Sequence, residues 1–126
     1  MRRSRNRVVV MGAGGIGTAV SLLLRDWGAL DVDLVICDAD LDSARSADQV
    51  ASRTGRGAVE PNRFDAISPD EAGLRAIRDA AVVLDCLPGE FAPGIASLAI
   101  RNGSHYANLT EYVAETDQIL KMAHGA

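Results

Sequence analysis

The sequence predicts an α/β fold: a doubly wound parallel sheet of five strands in the order 3-2-1-4-5, with helices on both faces. Three observations predict it. Apolar strand-like runs alternate with segments of helical period along the 126 residues, as parallel strands joined by right-handed crossover helices require. The run "AAVVLDCLP" at 80–88 is continuous rather than alternating, as in a strand covered on both faces. Pro61 falls in the third strand, and a residue without an N–H belongs on a sheet edge, where this order puts it.

Arg7 to Met11 is a short apolar first strand. From Gly15 to Trp27, Ile16, Ala19, Val20, Leu23, Leu24 and Trp27 recur at helical spacing and predict a core-facing stripe, with Gly28 ending the helix. Val32 to Cys37 is the second strand, and Asp40 caps a helix over Leu41 to Thr54, closed by "GRG" at 55–57. Ala58 to Phe64 is the edge strand carrying Pro61. "SPDE" at 68–71 reads as a helix start, with Ser68 as cap, Pro69 first in the helix and Glu71 third, running to about Asp79. Residues 80–88 form the fourth strand and 92–103 a helix stopped by Asn102–Gly103. A fifth strand at 104–110 and a last helix with Ile119, Leu120 and Ala123 apolar complete the chain. No linker divides it, so one domain over 1–126 is expected.

Composition narrows the function. Apolar residues make up 48% and aromatics 4%, so Val, Leu, Ile and Ala must fill the core. A net charge of −4 gives no reason to expect nucleic acid or a membrane surface as partner. Arg2, Arg3, Arg5 and Arg7 read as a solvated lead-in to the first strand, not a transit peptide or nucleic-acid arm. No apolar run approaches the ~20 residues of a membrane span. Cys37 and Cys86 sit in or at the end of apolar runs and read as packing residues in a reducing, cytoplasmic setting. Without supporting histidines they make no metal site.

The chemistry is concentrated in "VVVMGAGGIGTAV" at 8–20. Gly12, Gly14 and Gly17 fit G-x-G-x-x-G between a strand and a helix. Gly12 turns the chain off the strand, Gly14 leaves bare backbone for a diphosphate, and Gly17 brings the helix close to the sheet. With Gly15 and Ile16 they present helix N-terminal N–H groups to the phosphates. Asp38 ends the second strand 21 residues after Gly17, where a carboxylate accepts hydrogen bonds from the adenosine ribose. The fold is therefore expected to be of the Rossmann type, binding a dinucleotide. The Asp38 charge repels a 2′-phosphate, and Ala39 stands where an NADP binder often has Arg. NAD is thus expected over NADP, with Arg45 and Arg53 as cations that could admit NADP.

Two further segments carry a family resemblance: "DCLP" at 85–88 and "GSHYANLT" at 103–110. With the glycine segment, they make residues 7 to 124 resemble the nucleotide-binding domain of saccharopine dehydrogenase-like oxidoreductases. Members typically read N-C-x-P and H-Y-x-D-x-[ST] there; this chain has Asp85 and Asn108 instead. The resemblance implies that Cys86, Leu87 and Pro88 run beside the cofactor's ribose and nicotinamide. It places Asp65 and Ala66 beside the adenine, and Leu109 and Thr110 near the nicotinamide. It implies oxidation of an amino acid or secondary amine, or reduction of an imine, with a small amino-acid-like substrate held largely by a second domain. The chain would then be a truncated cofactor-binding half without turnover of its own, and its fifth strand an exposed edge that self-associates into a homo-oligomer.

No catalytic residue is assigned. His105 reads as a strand residue and His124 as terminal, while Tyr106 and Tyr112 lack the Tyr-x-x-x-Lys pair. Ser97 and Ser104 have no nucleophile-elbow context, and Glu90, Glu111 and Glu115 read as solvated. Two other readings stay open. One is a nucleotide-sensing regulatory domain of the kind that gates potassium channels; the other is a flavin or S-adenosylmethionine binder.

Overall fold

Val9, Val10, Ile36 and Val83 are fully buried in the middle of a single sheet whose order is β3-β2-β1-β4-β5. Its strands are β1 (Arg7–Met11), β2 (Asp33–Asp38), β3 (Val59–Arg63), β4 (Val82–Asp85) and β5 (His105–Asn108), all parallel. The helices are α1 (Gly15–Asp26), α2 (Leu41–Ala51), α3 (Glu71–Arg78), α4 (Ala92–Arg101) and α5 (Val113–His124), with a 3-10 turn at Gly89–Phe91. The computed structural model describes residues 7–27, 31–109 and 112–126. The expected element order, strand order and edge position of Pro61 are all found. Gly28 and Thr110 lie outside the described residues.

Alternation along the strands divides the core into two layers. Val8, Val10, Leu34 and Ile36 pack under Ala47 and Ala51 of α2. Val9, Met11, Val35, Cys37 and Val83 pack under Ala76 and Ile77 of α3 and Ile95 and Ala99 of α4. Each fully buried Val or Ile contributes roughly 1.5–3 kcal/mol. Small alanines on α2, α3 and α4 let the helices approach the sheet, which is how a core with few aromatics stays filled. α5 packs beside α4 and buries none of its own residues. β5 pairs with β4 alone among the described residues.

The expected face of α1 is found only in part: Leu24 packs against the core, but the stripe as a whole does not face it. Ile16, Leu23 and Trp27 are 61%, 55% and 69% exposed, and the buried positions are Gly17, Ser21 and Arg25. The cause is Gly17. A Cβ there would collide with the Gly12 carbonyl, so the helix touches the strand end at this residue, and i+4 and i+8 follow on the same face. The Ser21 hydroxyl donates to the Gly17 carbonyl at 2.8 Å. The Arg25 guanidinium donates to the carbonyls of Ala51, Thr54, Arg56 and Gly57. It thereby satisfies the Ala51 carbonyl at the end of α2 and three carbonyls of the turn beyond it, where no intrahelical donor follows. Arg25→Ala removes the partner of the buried Ala51 carbonyl and of three part-buried ones, and we expect a loss of about 3 kcal/mol in urea unfolding. A loss below ~0.5 kcal/mol would show that the contact is incidental.

Two smaller expectations also change. Ser68 does not cap α3: the Asp70 carboxylate does, accepting the Gly73 N–H at 2.8 Å, with the helix starting at Glu71. Ser68 is taken up in a turn around Asp65, whose carboxylate accepts the N–H groups of Ile67 at 2.9 Å and Ser68 at 3.4 Å. Pro69 accordingly lies before the helix. α2 ends at Ala51, three residues before Thr54, because its last turn is closed by Ser52 and Arg25.

Candidate functional site

The carboxyl ends of β1, β2 and β4 bring together three loops. After β1, Gly12 adopts φ +100°, in the left-handed region that a residue with a Cβ rarely occupies. Its N–H donates to the Cys37 carbonyl of β2 at 2.8 Å. Gly14 precedes α1, which no side chain caps. The N–H groups of a helix's first turn have no intrahelical acceptor, and a Cβ on Gly14 or Gly15 would meet nothing within 4 Å. The start of α1 is therefore bare donor backbone beside open space, with the positive end of the helix dipole behind it. An anion fits this surface.

Asp38 closes the site from β2. Its Oδ2 accepts the Ala13 N–H of the glycine loop at 2.8 Å, and its Oδ1 accepts the Asp40 N–H at 2.9 Å. Each carboxylate oxygen offers two lone pairs, so Asp38 can still accept from a sugar hydroxyl while holding the loop. Ala39 is exposed beside it. The cation in register with Asp38 is Arg63 of β3, which makes an exposed 3.7 Å ion pair to Asp70. Arg45 is engaged with Asp42 at 3.5 Å. Arg53 follows the far end of α2, roughly 16 Å away by helix rise. Sequence reasoning missed Arg63 because its neighbourhood depends on strand register.

The third loop follows β4. Cys86 donates its N–H to the Met11 carbonyl at 2.7 Å. The Cys86 carbonyl and the Leu87 side chain lie against Gly12, where a Cβ would meet them at 3.0 and 3.3 Å. Pro88 is exposed and leads into the 3-10 turn. Cys86 and Leu109 share a mostly apolar groove with Val20, Leu84 and Ala107, and Asp85 and Asn108 complete its wall. Burial raises the Cys86 thiol pKa and the Asp85 charge adds to this, so the thiol stays protonated and poorly nucleophilic. Cys37 is fully buried, with its pKa pushed up to about 12 by burial.

Asp65 and Ala66 sit farther out, after β3. One oxygen of the Asp65 carboxylate, Oδ1, accepts both N–H groups of its own turn. Ala66 packs against the core on the α3–α4 side. The loop's most exposed apolar residue is Ile67, at 82%. His105 is exposed on β5 and His124 ends α5. Among the described residues, no group of His, Cys, Asp and Glu is placed to hold a metal ion, and no helix is long and apolar enough to cross a membrane.

The two departures from the family pattern occupy one registered pair. Asp85 stands opposite Asn108, and both bond to the Tyr106 hydroxyl, which donates to Asp85 Oδ2 at 2.7 Å and accepts from Asn108 Nδ2 at 3.2 Å. Asp85 is 3% exposed. Burial raises its pKa above the ordinary 3.8, opposed by the Tyr106 and Leu87 hydrogen bonds. The folded state therefore holds this proton more tightly than the unfolded state. The resulting stability is complete below the unfolded pKa and is lost as pH rises through the folded one. We expect urea midpoints to decline with pH above about 4, and Asp85→Asn to flatten that decline. A variant whose profile overlays the parent's would contradict this.

Comparison with known proteins follows the same lines. A family model described as the saccharopine dehydrogenase NADP binding domain matches residues 8–126. No curated protein matches the chain. Among solved structures, saccharopine dehydrogenase (L-Glu forming) from Saccharomyces cerevisiae superposes with TM-score 0.69 at 19% identity, over 89% of this chain and 23% of that one. Mycobacterium tuberculosis shikimate dehydrogenase gives 0.59 at 19% identity, over 90% of this chain and 47% of that one. A 3-ketoreductase from Actinomadura kijaniata, solved with NADP, gives 0.62 at 21% identity, over 94% of this chain and 35% of that one. The chain thus spans less than half of each of these three proteins, and at these identities the likeness is one of fold.

Proposed function

The chain belongs to the saccharopine dehydrogenase NADP-binding domain family, and on that premise we propose that it binds a nicotinamide dinucleotide, NAD in preference to NADP, as the cofactor half of an oxidoreductase. The substrate class proposed is an amino acid, or a secondary amine and its imine. One observation carries the reading: Asp38 is hydrogen-bonded to the glycine loop at 2.8 Å. A single carboxylate thereby fixes the anion-receiving backbone and stands ready for the ribose, so the two halves of an adenosine diphosphate meet at one place.

The residues divide the work. The first-turn N–H groups after Gly14 receive the pyrophosphate, and the open space at Gly14 and Gly15 lets it approach. Asp38 accepts from the ribose hydroxyls and disfavours a 2′-phosphate by charge. Ile67 offers apolar surface beside Asp65 and Ala66 for the adenine. The groove with Cys86 and Leu109 is mostly apolar and suits a flat ring at the β4–β5 end. The bound dinucleotide would supply the two-electron redox chemistry.

The test is a calorimetric comparison of NADH, NADPH, FAD and S-adenosylmethionine on the same preparation. Binding of the nicotinamide nucleotides alone is expected. Tighter binding of FAD or S-adenosylmethionine would overturn the proposal.

A further inference from the structure

The polar groups at the ends of β4 and β5, buried Asp85 with half-buried Tyr106 and Asn108, hold the loop that lies on Gly12, and two of them, Asp85 and Asn108, also stand on the wall of the groove with Cys86 and Leu109. Asp85 Oδ1 accepts the Leu87 N–H at 3.0 Å, so its carboxylate folds the chain after β4 into a tight turn. Asp85 Oδ2 accepts the Tyr106 hydroxyl, which also reaches toward the Ala92 carbonyl at the start of α4 at 3.4 Å. Asn108 Nδ2 completes the set from across the registered pair. We infer that Asp85, Tyr106 and Asn108 form one positioning unit, which sets where the Cys86–Pro88 loop lies against Gly12 and so shapes the crevice for the dinucleotide. This rests on the proposed function, and the unit acts through the position of the Cys86–Pro88 loop.

The hydrogen-bond inventory makes the unit testable. It needs one carboxylate to take the phenol proton, one amide to donate to the phenol oxygen, and an oxygen on residue 85 for the Leu87 N–H. Exchanging Asp85 and Asn108 meets all three demands in mirror image. Two carboxylates do not, because like charges in a registered pair compete for one proton.

The experiment is NADH affinity at neutral pH for the parent chain, Asn108→Asp, and the double variant Asp85→Asn with Asn108→Asp, each well below its melting temperature. Asn108→Asp should bind at least about 10-fold more weakly, and the double variant should return to within about threefold of the parent. Both values should hold after matching the samples for folded fraction by circular dichroism. A double variant as weak as Asn108→Asp would overturn the inference. So would an Asn108→Asp chain that melts earlier but binds NADH normally, since the groups would then be structural only. A parent chain that binds neither NADH nor NADPH would instead overturn the functional proposal.

Discussion

Gly17→Ala should abolish useful dinucleotide binding, with NADH affinity falling about 100-fold, equivalent to ~2.7 kcal/mol. The added methyl would be driven into the Gly12 carbonyl, and a backbone atom cannot rotate away as a side chain can. Relief requires α1 to lift from the strand end, which withdraws its N–H groups from the phosphates and unseats the Gly12 turn. Overpacking of this kind costs about 1–3 kcal/mol in stability as well. Gly14→Ala is the informative contrast, because its methyl meets no protein atom within 4 Å. That variant should melt like the parent and still lose affinity, since the methyl fills space a phosphate would use. Normal NADH affinity in Gly17→Ala would remove the packing argument altogether.

Asp38→Asn should change which nucleotide is preferred. The amide keeps one oxygen for the Ala13 N–H, so the glycine loop stays in place; the exposed Asp40 N–H loses its acceptor to the NH2 group, and the charge that repels a 2′-phosphate is gone. Charge-assisted hydrogen bonds contribute about 1.5–3 kcal/mol. The NADH-to-NADPH affinity ratio should therefore move at least ~10-fold toward NADPH. Arg63, in register with Asp38, is the cation placed to benefit, and Arg63→Ala in the same background should reverse part of the change. A ratio that stays constant in Asp38→Asn would mean that the adenosine ribose lies elsewhere.

The parts of this molecule that could be read from sequence are those set by local pattern. Continuous apolar runs marked the buried strands, and Pro61 fixed which strand lay at the edge. The spacing from the glycines to Asp38 was readable because one crossover helix has nearly constant length. The parts that could not be read depend on contacts between elements. On α1 the apolar residues recur at helical spacing, yet Gly17 turns the helix so that Ser21 and Arg25 face inward. Ser68 and Asp70 both had cap chemistry, and the choice was made by Asp65 drawing Ser68 into its own turn. Asp85 and Asn108 stood out in sequence as departures from the family pattern, but only the β4–β5 register joins them to each other and to Tyr106.

The central claim is that a pyrophosphate rests on the backbone at the start of α1 with its ribose on Asp38. Amide chemical-shift mapping during a titration with NADH tests this most directly. The N–H signals of Gly14, Gly15, Ile16 and Gly17 should move together with that of Ala39, at one common saturation point. Saturable shifts confined to other loops, with these five signals unmoved, would contradict it.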